Sequence, residues 1–395
     1  MPQTKSENSV YQGPPFWSYG FRPFFLSAAL FASVAIPAWI WFLSGAEGVP
    51  MHNRLREWHM HEMVFGFLSC VITGFLLTAL PNWTERPPMS GKFLMLLWTL
   101  WVGGRVSIAA SWAPPLVVAF IDGAFLVVVG AVVWREIVVA HAWDRVPLGV
   151  LISLYAFANL LFHGLWMSAA AVDVAVRLGL IVLMVLLALI GGKITPSFTE
   201  DYFEGQGVMK QPAPFSPFDG LSILLLGVTG VAWMIAPEAR AVGYAFVGVG
   251  VLHLVRMSRW YGWLAWRKPL VLILHVGYGW LAMSFLILGA AMLGVGIHQE
   301  DAIHALTTGA VGVMTLAVMT RASLGHTGRA KHAGPLTLII YLLVNLGGIL
   351  RVFGSSLDLS GSHSLVLAAG CWSGAYLLFA IGYGPILVGP SLEEK

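Results

Sequence analysis

Histidine is the residue type in this chain best suited to chemistry, and its placement is informative. Of 12 histidines, His59, His61, His163, His253, His275, His304 and His326 lie within or beside apolar stretches long enough to cross a bilayer. An ionisable side chain at that depth is costly unless it is paired or bound. Neutral imidazole is also the commonest protein metal ligand. Several of them at matching depths point to a haem or a metal site held between helices.

The elements that must position them follow from composition. The chain has 395 residues, of which 58% are hydrophobic and only 10% charged. That balance cannot clothe a soluble core in polar surface. It predicts an all-α, polytopic membrane protein forming one integral membrane domain over 1–395. The polar start runs up to Tyr19, and the first span that follows has no small-residue cleavage site. It does not resemble a removable signal peptide, so 1–395 is expected to be the mature chain. Apolar windows recur near 22–43, 60–80, 91–111, 114–134, 147–168, 172–194, 219–236, 240–257, 269–294, 302–320, 335–355 and 363–388. Each is close to the roughly 20 residues that a helix needs to cross the hydrocarbon layer. Cys70 and Cys371 both fall inside such windows, so neither a disulfide framework nor a cysteine zinc site is indicated.

If both termini share a side, that side collects most of the 22 basic residues, among them Lys5, Arg22, Arg145, Arg267 and Lys395. The positive-inside rule then puts both termini in the cytoplasm. The Pro-rich stretch 196–218 reads as a connector on that side. No basic stripe interleaves with exposed aromatics, so a nucleic-acid partner is not expected, and the lipid bilayer is.

A weak internal repeat is visible. Arg22-Pro23, Arg145-Val-Pro147 and Arg267-Lys-Pro269 each open a span, at intervals of roughly 122 residues. His61 precedes Gly66 by the same spacing as His304 precedes Gly309. Three four-helix units, 20–135, 145–260 and 267–390, would be related by an axis along the membrane normal.

With depth assigned along the spans, the candidates separate into two levels. His59 and His61 open the second span, His163 lies near the end of the fifth, and His304 opens the tenth, all toward the face away from the termini. His253, His275 and His326 gather near the other face. Two levels with imidazoles on different helices would suit two redox centres, each a haem with one or two axial ligands or a copper with two to three imidazoles. The ordinary alternative for any single histidine here is a hydrogen bond to a helix carbonyl. The helical face of His59 continues through polar Glu62, Ser69 and Thr73. That of His61 continues through Val64, Phe65 and Leu68, either toward lipid or as the wall beside a porphyrin. Met314 and Met319 could serve a soft copper ion or simply pack. His52, His141, His298, His332 and His363 read as loop residues.

Arg105 and Asp122 should be level and adjacent, because a short turn joins their spans. They are expected to pair, since either charge alone would cost about 3 kcal/mol by insertion scales. Arg105 and Arg351 could instead hold haem propionates, whose carboxylates the guanidinium fork matches. No P-loop, nucleophile elbow or CxxCH motif occurs, so phosphate chemistry, acyl transfer and covalently attached haem are not supported.

Five strings carry a family resemblance: Phe21-Arg-Pro-Phe-Phe25, Trp58-His-Met-His-Glu-Met-Val-Phe-Gly-Phe67, Gly74-Phe-Leu-Leu-Thr-Ala-Leu-Pro-Asn-Trp-Thr84, Gly103-Gly-Arg105 and Arg321-Ala-Ser-Leu-Gly-His-Thr-Gly-Arg329. They closely resemble the NnrS family, over nearly the whole chain. The resemblance implies a twelve-span protein of the bacterial inner membrane that contains haem and copper and is linked to denitrification and protection against nitric oxide. His59, His61, His304 and His326 fall inside or beside the matching strings. His163, His253 and His275 rest more on depth than on motif.

On that footing the expected cofactors are one or two haem b groups, with copper as a further candidate. The expected partners are nitric oxide and a quinol electron donor. Coupling two NO molecules to nitrous oxide needs two electrons and two protons. The histidines away from the termini would form the reactive level, with Glu62 as proton carrier and Asp122 as the second acid. A protein that binds or scavenges NO without turnover is one alternative. A secondary transporter of a metal or small solute is another.

Overall fold

The computed structural model describes residues 11–48, 54–165, 169–357 and 361–392. Lys5, His52 and Lys395 lie outside them, as do residues 166–168 at the end of the fifth window. Among the described residues there is no strand. Twelve helices are long and apolar enough to cross a membrane: α1 Phe21–Leu43, α2 Leu55–Thr84, α3 Lys92–Ala109, α4 Pro115–Val139, α5 Trp143–Leu165, α6 Ala171–Gln206, α7 Pro217–Ile235, α8 Arg240–Ser258, α9 Pro269–Met292, α10 Gln299–Gly325, α11 Pro335–Phe353 and α12 Ser362–Val388. Twelve such crossings would bring Phe21 and Val388 to one face, called here the terminal face.

Local signals set several of the boundaries. α4, α7, α9 and α11 each have proline in the first turn, where its missing N–H has no helical partner to lose. α7 also carries a capping box, the Asp219 carboxylate accepting from the Ser216 backbone N–H and hydroxyl at 2.8 and 2.6 Å. α6 differs from the sequence expectation, continuing through Pro196 to Gln206 and leaving only 207–216 as connector. Thr195, Thr199 and Phe203 are buried at helical spacing. Phe203 packs with Ala265 and Val271, and that packing carries the helix past the proline.

α2, α6, α9 and α10 bury most of their length, whereas the other spans present half or more of theirs outward. Those outward faces carry Leu96, Val106, Leu116, Phe120, Leu224 and Leu342, as a lipid-facing shell requires. α4 packs on α5, α8 on α9, and α12 returns against α1. The last contact is latched at the terminal face by Arg22. Its fully buried guanidinium donates to the carbonyls of Ile386, Leu387 and Gly389 at 3.4, 3.0 and 2.6 Å and to the Ser391 hydroxyl at 2.9 Å. An Arg22→Met variant is expected to lose about 2 to 4 kcal/mol of stability, because these acceptors would stay buried with no charged donor. A lower thermal midpoint in detergent, with earlier proteolysis near the end of α12, would register the loss.

Three of the inner helices contain a wide, π-helical turn: Glu62–Phe67 in α2, Leu187–Gly191 in α6 and Ala305–Val311 in α10. Such turns release backbone groups from the regular ladder and are frequent at functional sites. Side chains of neighbouring helices take up the nearby carbonyls. Trp101 Nε1 donates to Gly66 O at 2.9 Å, the Tyr155 hydroxyl to Val64 O, Arg256 Nη1 to Ala188 O at 2.7 Å, and the Tyr376 hydroxyl to Gly312 O at 3.3 Å.

Candidate functional site

The turns in α2 and α10 frame a cavity. His59 and His304 each stand shortly before a wide turn, and both line this space of ≈ 400 Å³. Their rings are nearly parallel, at 14°, with centroids 6.4 Å apart. On its other side His59 stacks on Trp39 of α1 at 4.4 Å, which fixes the ring. His304 Nδ1 lies 2.6 Å from the Glu300 carbonyl, which can only accept. Nδ1 therefore carries the proton, and Nε2 keeps its lone pair, the tautomer of a metal-ligating histidine.

Much of the remaining wall is apolar, with Met60, Met63, Phe67 and Leu180 among its members, and Asp173, Glu300, Thr307 and Thr308 add polar groups. Two lining indoles, Trp233 and Trp372, hold buried Nε1–H groups with no hydrogen-bond partner among the described residues. Three arginines complete the lining. Arg56 pairs with Asp173 at 2.8 Å, Arg351 pairs with Asp301 at 2.5 Å, and Arg177 lies over the Trp233 ring at 5.6 Å. The cavity thus combines two imidazoles, a soft apolar wall and cations able to meet carboxylates.

His61, two residues along α2, leaves this cavity because adjacent helical positions diverge around the axis. It is fully buried in a separate polar cluster. Its Nδ1 lies 3.2 Å from Glu62, and its Nε2 lies 3.0 Å from Asn159 Oδ1 and 3.2 Å from Asp122. Asp122 also meets His163 Nε2 at 2.9 Å, the Asn159 amide at 2.8 Å and the Arg105 guanidinium. Arg105 Nε reaches Glu62 at 3.1 Å. The expected Arg105–Asp122 pair is therefore present, as part of a network spanning α2 to α5.

Glycines let this network sit against backbone. A Cβ on Gly66 would meet the Arg105 guanidinium and the Glu62 carboxylate, and one on Gly104 would meet Asp122. Ligand atoms of His61, Asp122 and His163 lie within 4.8 Å of one another, close enough to hold an ion. The chemistry weighs against one. A cation there would stand beside the fixed charge of Arg105, and both Asp122 oxygens already accept hydrogen bonds.

Near the terminal face the histidines do not converge. His253 Nδ1 accepts from the Tyr278 hydroxyl at 2.8 Å, and that hydroxyl accepts from Arg256 Nη1 at 2.8 Å. Arg256 in turn binds Asp219 at 2.8 Å. His275 Nε2 pairs with the Thr199 hydroxyl at 2.8 Å, and its ring lies against Gly262. Trp260 stands beside both arrangements, 4.6 Å from Tyr278 and 6.3 Å from His275 by ring centroids. His326 follows the end of α10 with its ring 5.6 Å from Phe21. Burial and the neighbouring Lys331 hold its pKa below the ordinary imidazole value. Among the described residues, none of these three joins a group of three or more His, Cys, Asp or Glu side chains, and neither does the His59–His304 pair. Met314 and Met319 are packed in the core and do not line the cavity.

Sequence reasoning passed over Trp39, Asn159, Arg177 and the Asp219–Arg256–Tyr278 network. Asn159 stands four residues before His163, on the same helical face, and that spacing is a usable signal. Ser216 three residues before Asp219 was another, being a capping-box pattern.

Residues 15–391 match a family model described as NnrS protein. No curated protein matches the chain. Because the match covers nearly all of the sequence, the chain belongs to the NnrS family, membrane proteins of the nitric oxide response.

Proposed function

We propose that this protein holds a haem in the cavity between α2 and α10, with His59 and His304 as its protein ligands, and reduces nitric oxide to nitrous oxide with electrons from quinol. The observation that carries the reading is the His59–His304 pair: near-parallel rings 6.4 Å apart across one cavity. Two imidazoles from different helices bordering one cavity are the residues that would hold a metal ion there, each through one ring nitrogen. The residues present fit the group. His304 offers Nε2, the aromatic and aliphatic wall suits a porphyrin face, and Arg56, Arg177 and Arg351 can meet propionates. When bound, haem supplies a redox iron to which NO binds.

The protein's own part is to exclude water with the apolar wall, hold the imidazoles by the Trp39 stack and the Glu300 carbonyl, and leave the cavity open to a small apolar gas. The Glu62–Arg105–Asp122 network stands behind α2 as a fixed electrostatic support. A second reading, copper in the same cavity, is favoured by one observation. The Met60 and Met63 thioethers line it beside the two imidazoles, a soft donor set.

The same proposal places both termini in the cytoplasm of a bacterium, because basic residues concentrate on the terminal face. It also divides the chain into three four-helix units, supported by wide turns that recur on α2, α6 and α10.

Visible absorption and metal analysis of the purified protein test the core of the reading. The expected result is a Soret band with sharp reduced α-bands, and anaerobic NO consumption driven by a quinol analogue. Copper without a Soret band would select the second reading. Neither metal in protein folded by circular dichroism would remove both. NO binding without consumption would leave a scavenger.

A further inference from the structure

Consuming NO at the cavity requires protons as well as electrons, and a series of buried hydroxyls leads from the terminal face to the cavity floor. Thr337, two residues into α11, pairs with Tyr383 of α12 at 2.7 Å. One turn deeper on α11, Tyr341 pairs with Thr320 of α10 at 2.6 Å. Deeper still, Thr315 of α10 pairs with Tyr376 of α12 at 2.7 Å. The Tyr376 ring lies 4.5 Å from that of Trp372, which lines the cavity. Above Thr315 on the same helix, Thr308 lines it too. All six paired residues are buried.

Chain direction orders them without ambiguity. α10 and α12 descend toward the terminal face while α11 rises from it, so the pairs lie at three successive depths. Steps of four to five residues correspond to about 6 to 8 Å of helical rise, more than the ~5.6 Å that one water bridges and within the reach of two. In each pair either oxygen can be the donor. Thr315 and Thr320 also have helix carbonyls as alternative acceptors, at 3.1 and 2.8 Å. These are the properties of a proton relay: each hydroxyl oxygen takes a proton from the side of the terminal face and releases its own toward the cavity, then rotates back.

We infer that the three tyrosine–threonine pairs of α10, α11 and α12 conduct to the cavity, from the terminal face, the two protons consumed for each two NO molecules reduced by the two quinol electrons. This rests on the haem-dependent NO reduction proposed above. The opposing possibility is that the pairs only fasten three helices together, which a Tyr–Thr hydrogen bond also does.

The test uses full-length protein in liposomes, with a pH-sensitive dye on either side. Tyr376→Phe, Tyr341→Phe and Thr320→Val are compared with Thr320→Ser, which keeps the hydroxyl. Two quantities are read: quinol-driven NO consumption, and the stopped-flow proton uptake that follows reduction of the protein without NO. In the first three variants, consumption should fall at least about tenfold. Proton uptake at the terminal face should slow in parallel, with an enlarged solvent deuterium effect and an unchanged reduced spectrum. Thr320→Ser should stay near wild type.

Variants that lower the thermal midpoint yet keep both rates would show helix fasteners and overturn the inference. So would proton uptake from the opposite face. A wild-type protein that binds haem without consuming NO would remove the reduction reading instead, and proton uptake on reduction would still decide the path.

Discussion

Replacing His304 with alanine is expected to abolish stable cofactor binding, lowering the Soret absorbance per protein at least about tenfold. Its Nδ1–H is committed to the Glu300 carbonyl, so the ring meets the cavity as a rigid lone-pair donor. Losing only the hydrogen-bond partner that orders such a ligand typically costs about one to two orders of magnitude in metal affinity, and losing the ligating ring itself should cost at least as much. His59→Ala should act similarly, because the Trp39 stack holds that ring against the same cavity. Neither change should unfold the bundle, since both side chains border space rather than fill the core. His253→Ala is the control. Its partner is a tyrosine hydroxyl well away from the cavity lining, so the Soret band should persist. Free imidazole should restore part of the absorbance to the His304→Ala protein. A full cofactor complement in the His59→Ala/His304→Ala double variant would refute the assignment.

The second large effect is structural. Arg105→Met should lower stability by about 3 to 5 kcal/mol, because Glu62 and Asp122 would remain buried without the cation between them. Gly66 and Gly104 give way to this cluster at the level of the backbone, so little space exists for water to compensate. Combining Arg105→Met with Glu62→Gln and Asp122→Asn removes all three charges and should recover much of the loss, because what costs most is an unpaired buried charge. Thermal midpoints in one detergent would decide this. Equal destabilisation in the single and triple variants would mean that the guanidinium acts through packing against Phe31 and Trp101 instead of through charge.

Much of the fold was legible because lipid imposes a simple rule. Segments of the right length and apolarity become helices, and eleven short connections then restrict their neighbours. The level of Arg105 with Asp122 followed from such a connection. The division between His59 and His61 was harder. α2 is enclosed on all sides, so its apolar residues form no stripe that says which face meets lipid. Depth alone therefore grouped two histidines that the helix sends to different sites. The level near the terminal face was hard to read for a related reason. His253 and His275 share a depth, but one ring nitrogen of each meets a hydroxyl from a different neighbour, Tyr278 and Thr199, while among the described residues the other stays buried without a partner, and depth carries no information about azimuth. The connector was misread at Pro196, where burial of Phe203 outweighs the local penalty of a proline within the helix.

The Arg22 clasp has a consequence for biogenesis. α1 is secured by carbonyls that follow it by more than 360 residues, so this seam of the bundle stays open until the end of α12 has been made. During that interval the α1 side of the seam must be held by lipid or by the insertion machinery. A chain ending before Gly389 would be released unlatched, exposing a buried cation to quality-control proteolysis rather than yielding a slightly shorter protein.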